Sequence, residues 1–497
     1  MKNLTLAEKS NRRIILTGKH LSVEDDCACP DGAIILKFDH TSKTENDYAC
    51  PKDTTLAHLV SPTGMSYVQT PQTYSDVLLH EFHLAFSPYA SAGPSVLNLE
   101  AWERWQSFAE PHPLEEAVDH SLAQENLIRP VSGQFSLHAS RPETLNAWLH
   151  ITNACNLDCP YCYVRKSPAS MSEPIGLEAI TKIFHTAQKH QFKGVKIKYS
   201  GVEATLRFGL IKKLSARARS LSEESSIKLD QVILSNGTFL RPQDATWLIE
   251  NNLRVMISLD GIGQIQDKMR PLQNGSATFH KVATTIDDVL LPRGLAPSIC
   301  VTITRHNASH VAETVRWALS RDLPISLNFY RRPPSTIPQD DLAFEDQTIV
   351  QGMMAAYRVF EELLPTRPFL NGLLDRVQIN SHTHTCGVGI NYIVITHEGK
   401  LVQCQMQLDR PVSESLQDDL LSLIAEGNIR NVSVEEKMTC KDCLYRFRCT
   451  GGCPLETQCA SNRGDLPGPN CQTYQALFPA ALRLEGLRLL KCNGYLQ

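Results

Sequence analysis

No apolar run in the 497-residue sequence is long enough to cross a bilayer, which takes about 20 residues. The first eighteen residues carry Lys2, Glu8, Lys9, Arg12 and Arg13 where a secretory signal would need its apolar segment, so the chain is expected to stay in the cytoplasm. A cationic excess is missing too. With a net charge of -4 the protein offers no field for a phosphate backbone, and no nucleic-acid partner is expected. What the sequence does have is cysteine, sixteen of them. In a reducing compartment these read as metal ligands before disulfides. Ten fall into two tight groups, which favours metal.

The first group is the loop Ala154-Cys155-Asn156-Leu157-Asp158-Cys159-Pro160-Tyr161-Cys162-Tyr163. A cubane 4Fe-4S cluster is closed by about four cysteines. Three can hold three irons and leave the fourth open to a small molecule, and a zinc knuckle is the plainer alternative for the same spacing. Around this loop, from Thr144 to about Pro365, apolar β-branched runs alternate with helical stretches. Strands are expected at 147–151, 195–199, 231–234, 254–258, 298–304 and 325–329, with helices between them. Six such units imply parallel strands joined by crossover helices, fewer than the eight of a closed barrel. The fold class is therefore α/β, an open, partial (βα)6 barrel. In such sheets the chemistry sits at the carboxyl ends of the strands, and the cysteine loop follows the first strand.

The loop spacing and its Asn-Leu and Pro-Tyr fillers resemble the cluster loop of the radical S-adenosylmethionine (SAM) enzymes. That resemblance implies a catalytic cluster on Cys155, Cys159 and Cys162, an open iron that takes SAM, and a 5'-deoxyadenosyl radical. Other strand ends fit the same family. Ser200-Gly201-Val202-Glu203 resembles its Gly-Gly-Glu turn, with Val202 in place of the second glycine; Gly201 would let the backbone approach SAM and Glu203 would receive its amino group. Ser235-Asn236-Gly237 and Ser258-Leu259-Asp260-Gly261 resemble two further family segments. Together with Tyr161 and Arg270, the residues Asn236, Ser258 and Asp260 complete the expected SAM contacts, Arg270 as a fork on the carboxylate and Asp260 facing SAM or the substrate.

The second group is Cys386, Cys404, Cys440, Cys443, Cys449, Cys453 and Cys471, with Gly399-x4-Cys404 and Cys449-Thr450-Gly451-Gly452-Cys453 as internal steps. It resembles the seven-cysteine SPASM domain of peptide-modifying members. The resemblance implies two auxiliary 4Fe-4S clusters, one on Cys386, Cys404 and Cys453 and one on Cys440, Cys443, Cys449 and Cys471. The first is a ligand short, and His382, His384, His397 and Cys459 are candidates to complete it. His397-Glu398-Gly399 signals a hairpin between 392–396 and 400–403. The tail 474–490 is expected as a helix packed on the core, with Cys300 and Cys492 as free thiols.

The chain divides by this reading into an N-terminal α+β domain (1–143), the radical SAM core (144–365) and the SPASM domain (366–497). In the first, Asn98 caps a helix burying Ala101, Trp102, Trp105 and Phe108 on one face. A second helix uses Leu114, Ala117, Val118 and Leu122, and 127–131 returns as a strand, which suggests a winged-helix module for a precursor peptide. Cys27, Cys29 and Cys50 are spaced too loosely for a metal site. The expected activity is hydrogen abstraction from a ribosomally made precursor peptide, giving a carbon-carbon or thioether crosslink, with electrons from a flavodoxin or ferredoxin. An anaerobic sulfatase-maturing (formylglycine-generating) enzyme is the nearest competitor. Members of that group carry an acid just after the cysteine matching Cys404, where this chain has Gln405. A non-catalytic iron-sulfur protein is the alternative of another class.

Overall fold

The computed structural model describes residues 15–17, 54–55, 65–90, 93–132, 138–139, 141–331, 342, 346–417, 419–461 and 464–496. Cys27, Cys29 and Cys50 lie outside them.

Six parallel strands run in sequence order across one sheet: β1 (Thr144–His150), β2 (Gly194–Ser200), β3 (Lys228–Ser235), β4 (Arg254–Ser258), β5 (Ser298–Ile303) and β6 (Ile325–Phe329). Helices fill each gap, as the alternation of patterns predicts. Strand periodicity then sorts the residues. Leu145, Ala147, Leu149, Val195, Ile197 and Tyr199 enter the large core under the helices. Asn146, Trp148, His150, Lys196, Lys198 and Ser200 alternate with them and are also buried. Both faces of the sheet are covered, which is why the strands show no exposed side.

The sheet does not stop at β1. The C-terminal region adds β7 (Tyr392–Ile395) parallel to β1, with Ala147 opposite Ile393, and β8 (Leu401–Val402) antiparallel to β7. The order is β6-β5-β4-β3-β2-β1-β7-β8. The hairpin expected around His397 is thus present, and it extends the barrel sheet. A division at residue 365 consequently cuts a continuous sheet. It also separates two packed helices, Asp346–Leu363 and the long C-terminal helix Cys471–Cys492. That last helix buries Leu477, Phe478, Leu482, Leu487 and Leu490, and encloses a paired Glu485 and Arg488 with no exposure at all.

Near the N-terminus, Asn98 Oδ1 accepts the Ala101 N–H at 3.2 Å and starts the helix Leu99–Ser107. A second helix spans Ala117–Gln124, and Ile128–Pro130 forms a strand beside Ser66–Gln69. The two helices and the strand fall where the sequence predicts them. A four-stranded antiparallel sheet, including Tyr74–Leu79 and Phe82–Phe86, accompanies them. That sheet was not predicted, because its strands are short and interrupted by turns. Among the described residues no helix is long and apolar enough to cross a membrane.

Candidate active site at the mouth of the barrel

The cysteine loop leaves β1 at His150 and is pinned where it starts and where it ends. Asn153 N–H donates to Ala169 O at 2.9 Å, and Thr152 Oγ1 accepts from Ala154 N–H at 3.0 Å. Between these points the ends of β3 and β4 hold it. From β3, Asn236 Nδ2 donates to Asn156 Oδ1 at 2.8 Å, while Asn156 Nδ2 donates to Thr238 Oγ1 at 2.9 Å. From the segment after β4, Pro271 O accepts from Asp158 N–H at 2.8 Å, and Gln273 Nε2 donates to Cys155 O at 2.7 Å. Just past the end of β4, the Asp260 carboxylate accepts the Tyr161 hydroxyl. Leu157, buried between these clamps, brings its N–H 3.3 Å from Cys155 Sγ.

Burial makes two of these thiols hard to ionise. It raises Cys155, and pushes Cys159 up to about 12 although the Arg270 guanidinium works the other way. Cys162 acts on both of the others, and Cys155 acts on Cys159. Such a set becomes thiolate when a metal displaces the protons. Among the described residues no three His, Cys, Asp or Glu groups converge as one metal ion would require, with sulfurs about 2.3 Å from zinc. Three cysteines in one loop, each able to bind a different iron, are a donor set that an iron-sulfur cluster can use.

The expected SAM contacts are brought to this rim, but several have other partners. Arg270 forks onto Asp260, Nε at 2.8 Å and Nη2 at 3.3 Å, and lies 5.3 Å over the Tyr161 ring. Asp260 has no exposed surface, also accepts the Thr302 N–H at 2.8 Å, and faces the cysteine loop. The fork expected for a ligand carboxylate is therefore taken by a protein carboxylate. Glu203 is buried as well, accepting from Thr205, from Ser235 Oγ at 2.9 Å and from Asn236 N–H at 2.6 Å. It ties the β2 turn to β3. Gly201 approaches the protein itself: a Cβ there would stand 2.7 Å from Thr152 O. With Val202 N–H also donating to Thr152 O, the β2 turn braces the start of the cysteine loop at ordinary backbone angles. Ser258 is half-buried at the end of β4, with no hydrogen-bond partner for its hydroxyl among the described residues.

The seven C-terminal cysteines separate into two neighbourhoods. Cys386, Cys404 and Cys453 are buried, and the charges of Cys453 and Cys386 both act on Cys404, which is pushed up to about 12 mainly by burial. Cys440, Cys443, Cys449 and Cys471 line one cavity. Its wall requires glycine. Thr450, Gly451 and Gly452 all have positive φ, and a Cβ on Gly451 would meet Lys437 Nζ at 2.9 Å and Cys440 Sγ at 3.1 Å. Of the candidates to complete the first set, Cys459 interacts electrostatically with Cys453. His382 Nδ1 donates to Asn380 O, His384 hydrogen-bonds the Thr383 hydroxyl, and His397 lies 6.0 Å from the His150 ring. Gln405 is buried, with Oε1 receiving the Tyr392 hydroxyl at 2.8 Å and Nε2 lacking a partner among the described residues. Sequence patterns did not single out two cations whose charges act on these thiols, the half-buried Arg376 and the buried Lys437, since neither belongs to a cysteine step.

Residues 149–318 match the Radical SAM superfamily. The cysteine-type anaerobic sulfatase-maturating enzyme of Clostridium novyi (strain NT) is 23% identical over 363 residues, covering 65% of this chain and 91% of that protein. Sporulation killing factor maturation protein SkfB of Bacillus subtilis (strain 168) is 25% identical over 342 residues, covering 66% and 75%. The solved structure of native anSMEcpe with bound AdoMet and Cp18Cys peptide shares the fold, with a TM-score of 0.58 at 21% identity, over 69% of this chain and 99% of that one. The chain thus carries a radical SAM domain and is a homologue of the anaerobic sulfatase-maturating enzymes and of SkfB.

Proposed function

We propose that the protein is a radical SAM peptide maturase acting on a ribosomally made precursor, with a carbon-carbon or thioether crosslink as product. The observation that carries this reading is the three-thiol loop, one ligand short, held at the mouth of a parallel sheet by Asn236, Gln273 and Asp260. Cys155, Cys159 and Cys162 would hold the reactive cluster, and the C-terminal neighbourhoods would hold two more. When bound, the first cluster supplies the electron that splits SAM to methionine and a 5'-deoxyadenosyl radical.

This chain's residues do the positioning. Asn156, Leu157 and Tyr161 are immobilised from the ends of β3 and β4, so the loop meets its ligand without rearrangement. Ser258, with its free hydroxyl, is offered to SAM. Both named relatives are maturation proteins, which supports a polypeptide substrate. Gln405 cannot act as a carboxylate base, and this ranks crosslinking above formylglycine formation. The two helices and strand near the N-terminus would receive the precursor, and a flavodoxin or ferredoxin would supply electrons.

The test is anaerobic reconstitution followed by reduction with SAM, first without and then with the precursor encoded beside the gene. The reading expects 5'-deoxyadenosine and a peptide lighter by two hydrogens that resists fragmentation between the joined residues. An aldehyde on a Cys or Ser would establish the sulfatase-maturing alternative. Absence of 5'-deoxyadenosine from cluster-loaded protein would remove both.

A further inference from the structure

Lys198 Nζ, Trp148 Nε1, Asn146 Nδ2 and Gln405 Nε2 are donors that nothing accepts: each is shut off from solvent and makes no hydrogen bond among the described residues. None of the four residues is more than 3% exposed. Buried polar groups are ordinarily paired, and an ammonium without a partner is the costliest exception. Strand register brings the four together. Trp148 stands opposite Lys198 across β1 and β2, and Asn146 stands opposite Lys196 on one flank and Tyr392 of β7 on the other. Alternation puts these side chains on one face of the sheet, the face turned away from the large core that holds Leu145, Ala147, Leu149 and Ile197. Tyr392 extends this face to Gln405, whose Oε1 takes its hydroxyl at 2.8 Å and leaves the amide donor over. Adjacent strands lie about 4.8 Å apart, so the donors belong to one patch across β7, β1 and β2.

The other lysine of this face is differently placed. Lys196 has Asp230 at 3.3 Å, and Asp230 also takes Arg254 Nε at 3.0 Å. Lys198 has no such partner among the described residues. Its register neighbours are the uncharged Trp148 and Val232, and Val232 packs with Met256 and Cys300. The patch keeps one acceptor over, Asn146 Oδ1. Three neutral N–H donors around an ammonium suit a carboxylate, which accepts at both oxygens and bears the opposite charge. Trp148 also shares a small core with Cys386, Cys404 and Cys453. The patch therefore adjoins both the three-thiol loop, which leaves β1 at His150, and the first C-terminal set.

We propose that Lys198, Trp148, Asn146 and Gln405 form a carboxylate-binding subsite inside the barrel, and that its ligand is an Asp or Glu side chain of the precursor peptide. This deepens the proposed function and rests on it. The charge of a lysine rides on a flexible four-carbon stem, so it can swing to meet an acid that enters from the rim. SAM carries a carboxylate too, but Ser258, the residue offered to SAM, lies at the end of β4, two strands away from β2. Holding one acidic side chain fixes the register of the peptide and so selects which C–H bond reaches the radical.

The test uses the full chain, anaerobically reconstituted, and the precursor encoded beside the gene, labelled with fluorescein and followed by anisotropy. Lys198→Met is expected to raise the peptide Kd about tenfold or more, and Gln405→Glu, which sets a like charge in the patch, to raise it as well. Changing one acid of the peptide to its amide should weaken binding to the unaltered protein by the same factor and leave binding to Lys198→Met as it was. The urea midpoint of Lys198→Met should not fall, because a charge without a partner is removed. A fall would give Lys198 a structural partner and overturn the subsite. Equal peptide affinity with and without Lys198, or a precursor in which no acid matters, would overturn it too, and the proposed function would stand as long as the unaltered protein binds and modifies the peptide. Weaker binding of SAM alone to Lys198→Met in equilibrium dialysis, with peptide affinity kept, would assign the carboxylate to SAM and overturn the peptide as its source. Cluster-loaded protein that yields no 5'-deoxyadenosine and binds no precursor would remove the proposed function, and the subsite with it.

Discussion

Asp260 is the residue on which the rim of the barrel depends. It is fully buried and is shared by Tyr161, Arg270 and Thr302, so it joins β4, β5 and the cysteine loop at one carboxylate. Removing its charge leaves Arg270 desolvated and unpaired, which for a buried pair costs about 3–5 kcal/mol. Asp260→Asn should lower the midpoint of urea unfolding accordingly with the slope unchanged, a check that needs no cofactor. His150, at the end of β1, gives a pH signature. Burial lowers its folded pKa from 6.5 to about 4, despite its bond to Asn153 at 2.6 Å. Between those two values the unfolded chain binds a proton that the folded chain refuses, so stability falls as pH drops from 6.5 towards 4. The full effect is on the order of 3 kcal/mol. His150→Gln should flatten that part of the unfolding profile measured between pH 7 and 4.5; an equal slope in both proteins would contradict it.

At the level of elements, the turns after β2 and after Cys449 show what the sequence made plain and what it hid. The six strands, the crossover helices, the capped helix after Asn98 and the hairpin around His397 were legible because each rests on local periodicity or a turn signal. Gly201 was legible as a close approach, but its neighbour was not. Only the fold reveals that Thr152 O occupies the space of the missing side chain. Glu203 and Arg270 were legible as members of the rim, while their pairing with Ser235 and Asp260 depends on three-dimensional proximity that spacing does not encode. The same limit hid Arg376 and Lys437. Gly201→Ala should displace the start of the cysteine loop at an overpacking cost of about 1–3 kcal/mol, seen as a lower thermal midpoint. Gly451→Ala should act at the other end of the molecule. With φ at +84° and Lys437 and Cys440 in the way, it should cut bound iron by about one cluster's worth after reconstitution, while the Cys155 loop keeps its own.

Across the whole molecule, the sheet order places β1 between the barrel and the C-terminal hairpin. Its Trp148 joins the smaller core formed with Cys386, Cys404, Cys453, Tyr392 and Val394, while Leu149 on the opposite face joins the large one. A chain ending at 365 would bare one edge of β1 and the apolar surface that β7 covers. Such an edge is a template for pairing between molecules. The truncated chain should elute as aggregate in size-exclusion chromatography, where independent folding of residues 144–365 would give a monodisperse peak. The C-terminal region is in this respect part of the barrel's framework as well as the carrier of further cysteines.

A last consequence concerns the order of events during biosynthesis. Ala147 meets Ile393 only after roughly 250 further residues have left the ribosome, a long-range pairing of the kind that slows folding. Until then the strand bearing the reactive thiols has one flank open, and any iron delivered early would arrive at an unfinished scaffold. The framework around the cysteine loop is therefore finished only once the C-terminal hairpin has emerged.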